Sequence, residues 1–104
     1  MYFYYIKGKN TFLLKEEIKK FKPQRKDFNK WWIFSDEFKS WHLEVPNNVH
    51  TKEFDLNIQS FCKENDLELE ILEFTKPLTK SIKDFKTEEG FFSYLHKNNN
   101  KNFR

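Results

Sequence analysis

Four side chains that can exchange protons or bind a metal alternate along two predicted strands. His42 and Glu44 lie on one of them, and Glu68 and Glu70 lie on the other. Imidazole and carboxylate groups are the common general acids and bases of enzymes. In the predicted sheet, however, a third strand separates these two, which places the pairs about 9–10 Å apart. Alternating charge is also typical of the wet face of a sheet, so the chain is predicted not to be an enzyme.

The other residues with useful chemistry are isolated. Cys62 is the only cysteine, which excludes an internal disulfide and a multi-cysteine zinc site. It flanks an apolar helical stripe and is predicted to be a small core residue. With glycine only at two positions, the chain has no glycine-rich phosphate loop. No metal and no cofactor is therefore predicted.

The most apolar run of this polar chain contains two adjacent tryptophans, Trp31 and Trp32. Successive side chains of a strand point to opposite faces, so only one of the two rings enters the core. The exposed set is either Trp32 with Phe34 or Trp31 with Ile33. Such an edge strand normally needs a cover or a partner. The predicted protein-binding residues are Trp31, Trp32, Phe34, Phe38 and Lys39.

The pattern of the first 75 residues predicts the order β-α-β-β-α-β. Strands are predicted at residues 2–7, 30–35, 41–45 and 67–74, and helices are predicted after Asn10 or Thr11 and after Thr51. Leu14, Ile18 and Phe21 form an apolar stripe on the first helix, and Phe54, Ile58 and Phe61 repeat it on the second. This order is typical of a ferredoxin-like α+β sandwich, a four-stranded antiparallel sheet with both helices on one face. Its first and third strands are expected to be central.

Residues 76–97 are predicted to form a helical extension packed on the core of residues 1–75. Leu78, Ile82 and Phe85 have helical spacing, and a further helix is expected from about Thr87. Its apolar residues are expected to fold over the open face of the sheet and bury the spare aromatic rings. A homodimer through the sheet face or edge is the other arrangement considered. Residues 98–104 are predicted to be a disordered polar tail.

Charge is distributed in three blocks along the chain. Residues 1–40 carry a net charge of +5, residues 41–75 carry −6 and residues 76–104 carry +4. The basic first block supports nucleic-acid binding as the alternative function. Tyr4–Gly8 and Lys39–Leu43 faintly resemble the strand signatures of RRM domains, which stack bases on aromatic residues of a β-α-β-β-α-β fold. The predicted nucleic-acid-binding residues are Lys15, Lys19, Lys20, Lys22, Arg25, Lys26 and Lys30.

The favoured function is binding of a protein, with no catalysis. The chain has no leader-like segment and no apolar run of about 20 residues, so a cytoplasmic protein without membrane contact is predicted. Its small size, its Lys-, Asn- and Phe-rich composition and its bipolar charge resemble those of accessory proteins of phages and mobile elements. Some of these, including anti-CRISPR proteins, inhibit host defence complexes. The resemblance implies steric blockade of a larger, nucleic-acid-handling host complex, and it assigns no individual residue.

Overall fold

The computed structural model describes residues 1–74, 79–80 and 82–97, which contain one four-stranded antiparallel sheet and three α-helices. The fold class is therefore α+β, as predicted. Predictions for Leu78 and for residues 98–104 lie outside the described residues. The strands and helices are, in chain order, β1 (Tyr2–Lys7), α1 (Lys15–Lys19), β2 (Ile33–Ser35), β3 (Ser40–Val45), α2 (Lys52–Glu64), β4 (Glu68–Glu73) and α3 (Glu88–Lys97). Two short 3-10 turns lie between them, Asn47–Val49 before α2 and Ile82–Asp84 before α3.

The strand order is β2-β3-β1-β4, so β1 and β3 are central and β2 and β4 are the edges, as predicted. β1 pairs along its whole length with both neighbours, and Tyr4 faces Leu43 on one side and Ile71 on the other. β2 pairs with β3 only from Ile33 to Ser35. The second strand is thus three residues long, and the prediction of a strand over residues 30–35 is wrong at its start.

One face of the sheet packs against α1 and α2. Ile18 of α1 and Phe54 and Ile58 of α2 are buried in the same cluster as Tyr4 and Leu43. The two predicted apolar stripes therefore do face the sheet. Cys62 is buried beside them, and burial raises the pKa of its thiol to about 11, so it behaves as a small core residue.

The first helix is much shorter than predicted. Thr11 does not cap it, because its hydroxyl donates to the carbonyl of Gly8, and its own carbonyl accepts from the indole of Trp41. These contacts hold residues 9–14 in turns ahead of α1. Thr51, in contrast, caps α2 as predicted, since its hydroxyl accepts from the N–H of Phe54 at 3.1 Å.

The opposite face of the sheet is covered by the C-terminal cover, which consists of the turn Ile82–Asp84 and helix α3. Phe91 and Leu95 of this cover are buried against Phe3 and Tyr5 of β1. In the described residues, α3 therefore lies on the face of the sheet opposite α1 and α2. Ile82 belongs to a 3-10 turn, which corrects the prediction of an α-helix around it.

None of the helices in the described ranges is long and apolar enough to span a bilayer.

Candidate protein-binding surface

The two adjacent tryptophans, Trp31 and Trp32, lie in different environments. Trp32 is 9% exposed and its indole N–H donates to the carbonyl of Phe21 at 2.7 Å, whereas Trp31 is 74% exposed. Ile33 is exposed as well, at 49%. The structure thus selects Trp31 with Ile33 as the exposed set, from the two sets that the sequence left open. Ile33 is the first residue of the edge strand β2, and Trp31 precedes this strand by two residues.

Lysines of the first helical region lie over aromatic rings beside this edge. The Lys15 ammonium is 4.6 Å from the centre of the Phe12 ring, and the Lys22 ammonium is 5.8 Å from the Trp31 ring. Lys19 lies 5.8 Å from the buried ring of Trp41. Cations in this position are attracted by the negative face of the ring. The edge therefore presents apolar rings with positive charge directly beside them.

The ring of Phe34 lies between a buried ring and an exposed ring. Its ring packs against Trp41 at 4.9 Å and meets the exposed ring of Phe12 at 5.8 Å. Leu13, next to Phe12, is also largely exposed. We use the name Trp31 surface for Phe12, Leu13, Lys15, Lys19, Lys22, Trp31 and Ile33; of these, Lys15 is half-buried, and Ile33 lies on the opposite face of β2 from Phe34.

The five predicted protein-binding residues do not lie together. Trp31 belongs to the surface and Phe34 supports it, but Trp32 is in the helix-side core. Phe38 is buried on the opposite face of the sheet, with its ring 6.2 Å from that of Phe91. The rings of Trp32 and Phe38 are therefore inaccessible to a partner in this structure. Lys39 is exposed in the turn between β2 and β3, where it adopts a positive φ of 50°.

Only some of the seven basic residues that were predicted to bind nucleic acid lie close together. Lys15, Lys19 and Lys22 lie on the Trp31 surface, and Lys20, Lys22 and Arg25 line a cavity of about 300 Å³ that also borders the start of α2. Arg25 is 3.7 Å from the carboxylate of Asp27. Lys26 and Lys30 are exposed.

Sequence reasoning missed Phe12 and Leu13 as surface residues. The sequence did contain a sign that these two residues are outside the core. Both precede Leu14, and neither fits the helical spacing that joins Leu14 to Ile18 and Phe21. Their exposure follows from the turns that occupy residues 9–14.

The candidate acid–base residues do not form a centre. His42 is only 6% exposed, because the C-terminal cover lies over it, and it stacks on Phe3 at 5.4 Å. The expectation that His42 lies on a wet face is therefore wrong. Its Nε2 has no hydrogen-bond partner among the described residues, and the nearby hydroxyls of Tyr5 and Ser40 also lack partners with hydrogen-bond geometry. Within the described ranges, no three His, Cys, Asp or Glu residues are placed to hold a metal.

We expect acid to destabilise the protein through His42. Burial lowers the pKa of His42 to about 4, from an ordinary value of 6.5. Between these two pH values the unfolded chain binds a proton that the folded chain does not bind, so stability falls as the pH falls. The loss is about 1.4 kcal/mol per pH unit at its steepest and about 3 kcal/mol in total. Thermal melting at pH 7 and pH 5 measures it, and His42→Phe is expected to remove this part of the pH dependence.

The control for this experiment is Phe12→Ala, because Phe12 is exposed and has no group that gains or loses a proton. This variant should keep the pH dependence of the wild type. An unchanged dependence in His42→Phe would show that His42 is not the group responsible.

A second histidine has a structural role at the start of α2. The ring of His50 stacks on Tyr2 at 3.6 Å, and its Nε2 is 2.8 Å from Asp55. The other carboxylate oxygen of Asp55 accepts a hydrogen bond from the hydroxyl of Tyr4, whose pKa is raised by burial and by this contact. The network fastens α2 to β1.

Comparisons with known proteins supply no further information on this surface: no family model matches the chain, and no curated protein and no solved structure matches it significantly.

Proposed function

We propose that this protein is a non-enzymatic binding protein that docks onto another protein through the Trp31 surface. The observation that carries the proposal is the 74% exposure of Trp31, at a sheet edge where its neighbour Trp32 is buried. Tryptophan is among the residues that most often anchor interfaces, because its ring buries a large area on binding. Ile33, Phe12 and Leu13 are further exposed apolar residues in or before the edge strand β2 and α1.

The partner is expected to be acidic at its contact site. Lys15, Lys19 and Lys22 lie beside the apolar residues, and their charges complement carboxylates around an apolar pocket. Charge complementarity of this kind accelerates association and rejects basic proteins. The partner chemistry that fits is thus an apolar pocket with a negatively charged rim.

The mechanism that we propose is steric blockade. In this mechanism the protein acts in the cytoplasm as a phage or mobile-element inhibitor, in the manner of anti-CRISPR proteins, and occupies a site on a nucleic-acid-handling host complex. The support is the resemblance of its size, composition and bipolar charge to those of such accessory proteins.

We also propose that residues 1–74 form a ferredoxin-like sandwich. The support is the order of strands β2-β3-β1-β4 in an antiparallel sheet, together with α1 and α2 packed in one cluster on the same face.

The test is capture of a partner by the tagged protein from host lysate, with and without nuclease treatment. We expect a stoichiometric protein partner that survives nuclease and that Trp31→Ala fails to capture. Leu56→Ala is the matched control, because Leu56 is also a large apolar residue that is mostly exposed, and it lies on α2, outside the Trp31 surface. Equal capture by the wild type and Trp31→Ala would contradict the proposal.

A nucleic-acid-binding module is the second candidate function, and two lysine–ring pairs with exposed rings favour it, Lys15 with Phe12 and Lys22 with Trp31. Exposed rings beside cations bind single strands by stacking on bases and by contacting phosphates. Oligonucleotide binding measured at several salt concentrations tests this candidate. If Lys15, Lys19 and Lys22 each contact a phosphate, replacing one of them with Ala lowers the magnitude of the salt slope by about 0.7. Binding that disappears at moderate salt without dependence on these residues would reject this candidate.

A further inference from the structure

A cavity of about 300 Å³ lies between the segment that follows α1 and the start of α2. Residues 20–25 form its first wall, and Val49, Thr51 and the first turns of α2 form its second wall. Ligand pockets typically have volumes of about 300–1,000 Å³, so this cavity has the size of a small-ligand site. It shares only Lys22 with the Trp31 surface. The cavity is therefore a candidate site that the proposed function does not use.

Hydrogen bonds hold the backbone of both walls in place. On the first wall, the carbonyl of Phe21 accepts from the indole of Trp32 at 2.7 Å, which fastens this wall to the helix-side core. On the second wall, the hydroxyl of Thr51 accepts from the N–H of Phe54 at 3.1 Å, at the start of α2. The walls are thus positioned before a ligand binds, which lowers the entropic cost of binding.

The first wall carries three cations, Lys20, Lys22 and Arg25. In the part of the chain that the structure describes, neither lysine is within ion-pair distance of a carboxylate. Arg25 approaches Asp27 through its Nε at 3.7 Å, which leaves the two terminal nitrogens of its guanidinium for an anion. Cations that converge on a cleft produce a concentrated positive potential. The first wall is therefore suited to bind an anion.

The second wall supplies the carboxylate of Glu53. Asp55, two residues further along α2, is already engaged, because its oxygens contact the hydroxyl of Tyr4 and the Nε2 of His50. Glu53 leaves the lining with an excess of positive charge, since it faces three cations. It also repels an anion towards the first wall and can accept hydrogen bonds from hydroxyl groups of a ligand. The two walls therefore favour a ligand with an anionic end and hydroxyl groups.

The remaining lining suits a planar group with polar edges. Phe21 is half-buried, so part of its ring remains accessible, and rings of this kind stack with nucleic-acid bases. The side-chain amides of Gln24 and Asn57, one on each wall, carry both donors and acceptors for a base edge. The apolar members of the lining are Phe21, Pro23, Val49 and Phe54.

We propose that this cavity binds a nucleoside 5′-monophosphate, either free or as the 5′-terminal nucleotide of a strand. The phosphate contacts Lys20, Lys22 and Arg25, the sugar hydroxyls donate to Glu53, and the base packs on Phe21. A phosphate monoester carries a charge of about −1.5 to −2 at pH 7, whereas a phosphodiester within a strand carries a single charge. Three cations therefore favour the monoester. The inference goes beyond the proposed function, because the ligand and the site are different.

The experiment compares two double variants of the full chain that have the same net charge. Lys20→Ala with Arg25→Ala removes two cations from the cavity. Lys26→Ala with Lys30→Ala is the matched control, because these lysines are exposed and nearby in sequence but are not part of the cavity lining. The four replaced side chains are exposed, so both proteins are expected to fold, which circular dichroism verifies.

Adenosine 5′-monophosphate, adenosine and inorganic phosphate are each titrated into isotope-labelled protein, and amide shifts in NMR spectra locate the binding. We expect the monophosphate to shift amides of residues 20–25 and 49–57 and to bind more tightly than adenosine or phosphate, because each fragment makes only part of the contacts. The cavity variant should weaken binding at least about tenfold, and the control variant by less than about twofold.

An oligonucleotide with a 5′-phosphate distinguishes the two sources of the ligand. Tighter binding of this strand than of the free monophosphate at the cavity amides identifies a strand end, and equal or weaker binding identifies the free nucleotide.

Three results overturn the inference: no shift of the cavity amides at about 10 mM monophosphate, equal binding by the two double variants, or binding of adenosine or phosphate as tight as that of the monophosphate. Lys20 and Arg25 lie outside the Trp31 surface, so none of these results bears on the capture of a protein partner through Trp31.

Discussion

Replacing Trp32 with alanine is expected to lower the free energy of unfolding by about 3–5 kcal/mol. The ring is packed in the helix-side core, and its N–H donates to the carbonyl of Phe21 at 2.7 Å. Truncation therefore leaves both a large cavity and a carbonyl without its donor. Since small domains are stable by about 5–15 kcal/mol, the variant should unfold at markedly lower urea concentration. Urea unfolding followed by far-UV circular dichroism measures the change.

Trp31→Ala is the matched control, because it removes the same side chain one residue earlier in the chain. Its ring is mostly in solvent, so the free energy of unfolding should change by at most about 0.5 kcal/mol. Together the two variants separate stability from binding: Trp32 supports the fold, and Trp31 supports the proposed interface. Equal destabilisation by the two substitutions would contradict the assignment of Trp32 to the core.

Replacing Phe91 with alanine is expected to cost about 3–5 kcal/mol and to loosen the C-terminal cover. Phe91 is 1% exposed and its ring contacts those of Phe3 and Phe85, at 5.9 and 5.6 Å. Its loss weakens the cluster on the cover face while the separate cluster under α1 and α2 stays packed. We therefore expect the amides of α3 to exchange with deuterium faster than those of α2. Hydrogen exchange followed by mass spectrometry resolves this difference.

Phe12→Ala serves as the control for Phe91→Ala, since Phe12 is exposed and lies outside both buried clusters. It should change stability by at most about 0.5 kcal/mol and leave the exchange of α3 unchanged. If Phe91→Ala accelerated exchange in α2 as strongly as in α3, the two faces of the sheet would unfold as one unit, and the separate cover would be disproved.

The C-terminal cover also affects what His42 contributes to stability. The cover excludes water from the Nε2 of His42, and an unpartnered buried polar group typically costs about 1–3 kcal/mol. The apolar contacts of the C-terminal cover therefore outweigh the free-energy cost of burying the unpartnered Nε2 of His42. His42→Phe should for this reason be at least as stable as the wild type at neutral pH.

The sequence by itself determined the elements with strong local signals. The alternation in residues 41–45 and 67–74 predicted both strands and divided their side chains between two faces, because the side-chain period of a strand is two residues. The spacing of Phe54 and Ile58, together with the cap Thr51, fixed α2. The element order was then sufficient to predict which strands are central.

Only the tertiary structure decided which residues of each alternating set are buried. Alternation predicts that Trp31 and Trp32 point to different faces, but it does not indicate which of these faces is covered. The answer depends on where α1, the loop after it and the C-terminal cover pack, and these are contacts between residues distant in sequence. Contacts between distant residues also explain why Phe38 and His42, on the face under the cover, are buried. They explain as well why α1 is short, because Thr11 bonds to Gly8 and Trp41 instead of capping the helix.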